Sequence, residues 1–469
     1  MKASHAALRK WTPRSFSSRP PVGWPMGRVF SAVLVLQLLI ALSYTQFVAP
    51  VYAYSGFVSR PANLGHLAIS IVIGSIPVLW LPTRPATPGQ VLLWLLQIFV
   101  VCSSCALGPL IPYRGIWESI GWSIWNVTCM AAASLFLILP KLNLSRYRLT
   151  HVRGRRLFFV CFLVIFALLI AWFGVPRPEF SLHTAQSRRL AFRESLAASG
   201  VLAGYLLVWA QSLFAPISIM SGVVRKRPLG VVLGGSVIFW FYLSQGTRTS
   251  LAVIPLGAAL WVGLKRGISA AQYVWGAVAL LVVSVATFLV TNSTMVLGLA
   301  VKRLFIVPGA LSMFYFDFFA TGPPGLYRDS FGSLISGSPY PLEIPRMIGA
   351  SYLGSQETNA NVNVFADAFA QLWLAGLLLP VVVALVLWLL DSLVEGLNQP
   401  AVLGSMSLMA IALINTGTSN WLSTNGMALG LLIYWLAGPG LFPSTSDGFG
   451  RLSKNARPTS NPWPMRAVP

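Results

Sequence analysis

Arg248 stands in the run Gly246-Thr247-Arg248-Thr249-Ser250, a short polar link between apolar stretches at 229–244 and 251–264. A guanidinium flanked by hydroxyls, just ahead of a helix, suits an anion. The fork donates in pairs, the hydroxyls add donors, and the free N–H groups of the helix start face the same point. At a membrane surface the expected anion is a lipid phosphate. The plainer alternative is an arginine that snorkels to fix the depth of its helix. The shortness of both apolar stretches makes that role costly. A second group, Arg177, His183, Arg188, Arg189 and Arg193, gathers in the connection 176–195. It either holds an anionic ligand or tips an exposed amphipathic helix with charge. Histidine titrates near neutral pH and can act as a base, although a single loop histidine is more often a bystander.

The acids point to a third place. Asp317, Asp329, Glu343, Glu357 and Asp367, five of the chain's eleven acidic residues, fall in the interval 292–367. That interval opens with Lys302-Arg303 and an aromatic stretch holding Phe305, Phe314, Tyr315, Phe316, Phe318 and Phe319, read as an interfacial or re-entrant helix. Gly322-Pro323-Pro324-Gly325 ends it. Carboxylates, amides, aromatics and arginines follow, a mixture that suits carbohydrate, and a hydroxyl nucleophile needs a base within hydrogen-bond reach. Glu357 has no evident capping job and is the preferred base. Asp367 is the other candidate, although an acid at a helix start is ordinarily a cap or dipole partner. Asp329 can simply share a solvated turn with Arg328.

The elements that position these residues follow from composition. Of 469 residues, 56% are hydrophobic and 9% charged, and the mean hydropathy is +0.72; a soluble domain carries about 25% charged residues. Apolar runs of roughly 20 residues cross a bilayer as helices, because lipid cannot satisfy free backbone groups. The expected fold is therefore all-α: a polytopic membrane protein of about twelve transmembrane helices with a long periplasmic loop, 292–367, containing short helices. The spans fall near 29–48, 64–82, 90–111, 119–140, 157–175, 196–222, 229–244, 251–264, 273–291, 368–390, 401–416 and 425–442. Residues 1–28 and 443–469 read as disordered basic cytoplasmic tails around a transmembrane domain at 29–442. With the N-terminus inside, 22 of the 33 Lys and Arg residues but only three acids fall on the cytoplasmic side, as the positive-inside rule requires. The net charge of +22 is thus topological, and no nucleic-acid partner is expected. Cys102 and Cys105 form a lone CxxC, read as packed thiols rather than a metal or redox pair. The spans are nearly free of ionisable groups, Gln37, Gln97, Tyr205 and Gln211 being the notable interior polar residues, which disfavours transport.

The second half of the chain resembles the O-antigen polymerase (Wzy-type) family of oligosaccharide repeat-unit polymerases. The likeness covers about 230–395 and rests on three features. These are Arg248 in its small-residue link, the late loop with Pro339-Tyr340-Pro341-Leu342-Glu343-Ile344-Pro345-Arg346, and 361–376 with Asp367, Phe369 and Gly376. The acid is followed here by Ala368, with the aromatic one place later. The resemblance implies an enzyme of the bacterial inner membrane that transfers a growing glycan from undecaprenyl diphosphate to a hydroxyl of the next lipid-linked unit. It implies that Arg248 and some of Arg188, Arg189, Arg303, Arg328 and Arg346 hold diphosphates, that Glu357 or Asp367 is the base, and that no metal or other cofactor is needed. Its partners would be lipid-linked glycans, membrane lipids, a flippase and a chain-length regulator. An O-antigen ligase shares this chemistry, and a polar-lipid or polysaccharide transporter is the reading from another class.

Overall fold

The computed structural model describes residues 24–61, 63–112, 115–144, 148–176, 185–245, 248–328, 337 and 339–444. The expected tails lie almost wholly outside these, as do Arg177, His183 and Asp329. All regular elements among the described residues are helical. Nine of these helices are long and apolar enough to cross a membrane, and two more, Leu64–Leu79 and Val253–Lys265, are shorter apolar helices. The protein is an all-α polytopic membrane protein.

Backbone contacts sort the helix ends into two groups. The Ala270 N–H donates to the Thr83 carbonyl at 2.9 Å, Leu149 to Leu436 at 3.2 Å and Asn398 to Phe442 at 3.1 Å. Arg225 donates to the Gly440 carbonyl at 2.7 Å. These bonds gather the connections bearing Arg84, Lys141, Arg148, Arg225 to Arg227, Lys265 and Arg266, here called the basic end. At the opposite loop end, the Tyr52 hydroxyl donates to the Thr294 carbonyl at 3.0 Å and the Arg60 N–H to Leu110 at 2.8 Å.

Between these ends run α1 (Met26–Ser55), α2 (Leu64–Leu79), α3 (Pro88–Leu107), α4 (Ile116–Ile138) and α5 (His151–Phe173). Helix α6 (Ala185–Ser199) then rests on the loop end, with Phe192 packed on Phe173 and Trp240. Helices α7 (Val201–Val224) and α8 (Pro228–Gln245), α9 (Arg248–Lys265) and α10 (Ala270–Thr291) complete the first group. Arg188 of α6 donates to the Leu243 carbonyl at 3.0 Å, so α8 reaches the loop end. Small residues let these helices approach, as expected where lipid supplies no hydrophobic drive between helices. On Gly234 a Cβ would lie 2.6 Å from the Ala215 carbonyl oxygen, and on Gly257 one would lie 2.7 Å from that of Gly404.

Helix α11 (Thr294–Thr321) is 28 residues long, not one of several short helices, and by length alone it could cross. Its contacts keep both of its ends at the loop end. Thr294 meets Tyr52, Phe305 packs on Phe99 at 5.2 Å, Gly309 lies against Ser103, and the Tyr315 hydroxyl returns to the Ala360 carbonyl of the loop at 3.0 Å. The aromatic stretch is therefore re-entrant, as its sequence suggests. A ten-residue π-helical segment, Leu297–Ile306, precedes Pro308, and both features bend a helix.

After α12 (Ile344–Leu353) comes the long apolar stretch Val364–Leu393, which takes in the expected span at 368–390 but is broken near its start. Its first residues belong to a separate short helix, α13 (Val364–Leu372), which stops at Trp373 with φ +51°. Helix α14 (Leu378–Leu393) makes the descent. The chain returns through α15 (Gln399–Ser405) and α16 (Ser407–Asn415), breaks at α17 (Thr418–Leu422), and leaves through α18 (Met427–Leu436) and α19 (Gly438–Leu441).

Candidate functional site

Two broken segments meet inside the loop end. The first is α13, fixed by its cap: Asn363 Oδ1 accepts from the N–H groups of Phe365 and Ala366, while its Nδ2 donates to Ser312 Oγ at 2.6 Å and to the Pro308 carbonyl at 3.2 Å. Asn363 therefore performs the capping that the sequence leaves open to Asp367, one turn later. The face of α13 behind the site is walled by Trp122, Trp125, Phe316 and Phe369, with ring centroids 4.6 to 5.6 Å apart. Trp125 also donates to the Phe365 carbonyl at 3.0 Å. The C-terminal carbonyls of α13 are met by the turn 325–327. Gly325 N–H donates to Ala370, Leu326 N–H to Gln371, and Tyr327 N–H to Gln371 Oε1 at 2.6 Å. To present three successive donors this way, Leu326 and Tyr327 take φ of +50° and +55°, a left-handed backbone that costs a side-chain-bearing residue roughly 1–2 kcal/mol.

The second segment is 415–426, Asn-Thr-Gly-Thr-Ser-Asn-Trp-Leu-Ser-Thr-Asn-Gly. Eight of its twelve residues are Ser, Thr or Asn, yet it is held within the bundle. Trp209 donates to the Ser423 carbonyl at 2.9 Å, Ser212 to the Asn425 carbonyl at 3.1 Å, and Trp421 to Met409 at 3.1 Å. Sequence patterning treats it as an ordinary connection between spans. The signal that marks it is a long run of neutral hydrogen-bonding residues with no Lys, Arg, Asp or Glu.

Asp367 joins the two. It is 8% exposed. Its Oδ2 accepts from the Thr418 N–H at 3.1 Å and the Tyr327 hydroxyl at 3.4 Å, and its Oδ1 from Gln371 Nε2 at 3.4 Å. Gly417 makes the approach possible, since a Cβ there would sit 2.7 Å from Oδ1 and closer still to Oδ2. The carboxylate is thereby oriented by donors from three separate chain segments. Among the described residues no group of three or more His, Cys, Asp or Glu is placed to hold a metal ion.

The cations sort differently from the sequence expectation. Arg303, on α11, is exposed, one and a half turns before the Pro308 carbonyl that receives Asn363. Partial burial, then the charges of Arg193 and Arg303, lower the pKa of Arg189 from its ordinary value. Arg189 is therefore within electrostatic reach of Arg193 and Arg303 at the loop end. Lys302 is turned away, its ammonium 3.9 Å from the Tyr52 ring and 4.5 Å from that of Phe57. Arg188 is committed to the Leu243 carbonyl. Arg328, half-buried, directly follows Tyr327. Arg346 is exposed and paired with Glu343 at 3.5 Å. Arg248 is the first residue of α9, at the loop end. Glu357 is exposed on the turn after α12, its N–H on Ser355 Oγ at 3.3 Å, and no described contact joins it to Asp367. Asp317, another acid of the interval, accepts from the Tyr352 hydroxyl. Cys102 and Cys105 are buried free thiols in α3.

No protein-family model, curated protein or solved structure matches the chain.

Proposed function

We propose that the protein is a membrane glycosyltransferase that polymerises undecaprenyl-diphosphate-linked oligosaccharide repeat units at the outer face of a bacterial inner membrane, with both termini cytoplasmic and the loop end outward. The observation that carries this reading is the buried carboxylate of Asp367, held by the Thr418 N–H, the Tyr327 hydroxyl and the Gln371 amide, set between two broken segments and sharing its end of the bundle with Arg189, Arg193 and Arg303. Asp367 takes the proton of the acceptor hydroxyl as that oxygen bonds the donor's anomeric carbon. The bond from that carbon to the diphosphate breaks, and the arginines stabilise the charge that develops on the leaving group. The neutral donors of 415–426 suit sugar hydroxyls, and the aromatic content of α11 keeps the site within reach of a lipid-borne substrate. Of the two expected bases, Asp367 is favoured because Glu357 is exposed and apart from these groups.

Gene deletion in a cell making a surface glycan tests the reading, scored by gel analysis of chain length. Loss of the ladder with a single repeat unit retained is the expected result. Loss of all attached glycan would indicate ligation instead, and an unchanged glycan would exclude both.

A further inference from the structure

The basic end holds a second place for an anion, remote from Asp367. A cavity of about 320 Å³ is lined by Arg148, Leu149, His151, Gly396, Leu397, Pro439, Pro443 and Ser444. Two of its walls are basic side chains held by backbone carbonyls. Arg148 Nη2 donates to the carbonyls of Leu393 at 2.6 Å and Glu395 at 3.2 Å, while its buried Nε makes no hydrogen bond. His151 Nδ1 donates to the Pro439 carbonyl at 2.8 Å, which holds the ring at the cavity wall.

The adjoining helix start is electrostatically uncompensated. Helix α5 begins His151-Val152-Arg153-Gly154-Arg155-Arg156, with no acid in its first turn and no side-chain hydrogen bond from its cap residue, Thr150. Cations beside the positive end of a helix dipole are unfavourable, and the first-turn N–H groups want an acceptor. Glu395 lies 3.9 Å from Lys141 and offsets part of the charge of Arg148, leaving the arginines of the α5 start without an acid in their turn. Gly440 packs against the backbone of His151 and Arg155, which seats the 438–441 turn on this helix start and gives the cavity a floor. Basic pockets between transmembrane helices on the positive side of a membrane suit phosphorylated head groups.

We propose that this cavity binds a phosphate-bearing anion through Arg148, His151 and the first turn of α5, as a site separate from the one at the loop end. Its phosphate can be carried by an anionic lipid or by a soluble diphosphate. The test uses the full-length protein in phosphatidylcholine nanodiscs, with thermal unfolding and native mass spectrometry as readouts. One arm adds phosphatidylglycerol or cardiolipin to the disc, and the other titrates inorganic pyrophosphate. Wild type is expected to gain thermal stability in at least one arm. A gain with lipid alone assigns a head-group site, and a gain with pyrophosphate assigns a soluble ligand.

Arg148→Gln and His151→Gln should each weaken binding about tenfold, the scale of one hydrogen bond lost at the site. Ser444→Trp should block the cavity without changing charge, and Arg84→Gln, also at the basic end, should bind as wild type does. Arg148→Gln removes donors to two carbonyls and can misfold, in which case His151→Gln and Ser444→Trp decide the matter. No stabilisation in either arm overturns the proposal. So does an equal loss in Arg84→Gln, which would mean diffuse surface charge, or unchanged binding in His151→Gln and Ser444→Trp.

Discussion

Gly417→Ala is the smallest change that should disable the loop-end site. The added methyl would lie 2.7 Å from Asp367 Oδ1 and nearer to Oδ2, whereas carbon and its neighbours settle at about 3.5–4.0 Å. The carboxylate must therefore retreat by roughly 1 Å, which stretches its 3.1 Å bond from the Thr418 N–H beyond hydrogen-bonding range. A hydrogen bond to a charged group contributes about 1.5–3 kcal/mol, so the orientation of Asp367 should weaken by roughly ten- to a hundredfold, with turnover falling to match. The assay is transfer between lipid-linked repeat units by purified protein, alongside thermal unfolding. Gly121→Ala serves as control, because a Cβ there meets nothing within 4 Å. The decisive comparison is a double-mutant cycle with Asp367→Ala. If Gly417 acts through the carboxylate, adding Gly417→Ala to Asp367→Ala should cost little more. Normal turnover in Gly417→Ala, or full additivity in the cycle, would refute the reasoning.

Other substitutions separate structural roles from chemical ones. Glu357→Gln should keep turnover within about twofold, since the side chain is exposed and surface changes are usually near-neutral; a large loss in the same transfer assay would restore Glu357 as the base. Arg303→Gln should raise KM about tenfold and flatten its dependence on ionic strength, because it removes one cation from a screened cluster; an unchanged salt profile would take Arg303 out of diphosphate binding. Leu326→Gly should raise Tm by a few degrees. It relieves about 1–2 kcal/mol of left-handed strain against roughly 0.5–1 kcal/mol of added chain entropy, and Leu326 is 38% exposed. Asp391→Ala should destabilise by about 2–3 kcal/mol in thermal unfolding. It strips the acceptor from the Thr87 hydroxyl and the Gly89 N–H at the start of α3, and its effect on turnover should not exceed that on stability.

Composition and periodicity were enough to read an all-α membrane protein from the residues alone, because a bilayer admits few backbone solutions and apolar runs of a given length announce themselves. The aromatic stretch of α11 was legible as interfacial or re-entrant, and the Gly-Pro-Pro-Gly stop marked its end, but its start at Thr294, ahead of Lys302-Arg303, was not. Residue types also marked Asp367, Arg189 and Arg303 as groups that could do chemistry, but not which of them meet. Asp367 looks like an ordinary helix-start acid until Asn363 is seen to cap α13. Its partners, Tyr327 and Thr418, stand 40 and 51 residues away. Arg188 looks like Arg189 in sequence, yet one turns to the Leu243 carbonyl and the other faces Arg193 and Arg303. The break at Trp373, the approach allowed by Gly417 and the insertion of 415–426 into the bundle depend on backbone reversals. Local sequence permits those reversals, but only long-range packing selects them. The chain's own chemistry determined that there is a membrane domain with acids and cations at one end. The tertiary structure decided that, among the described residues, Asp367 is the carboxylate buried between donors from both broken segments.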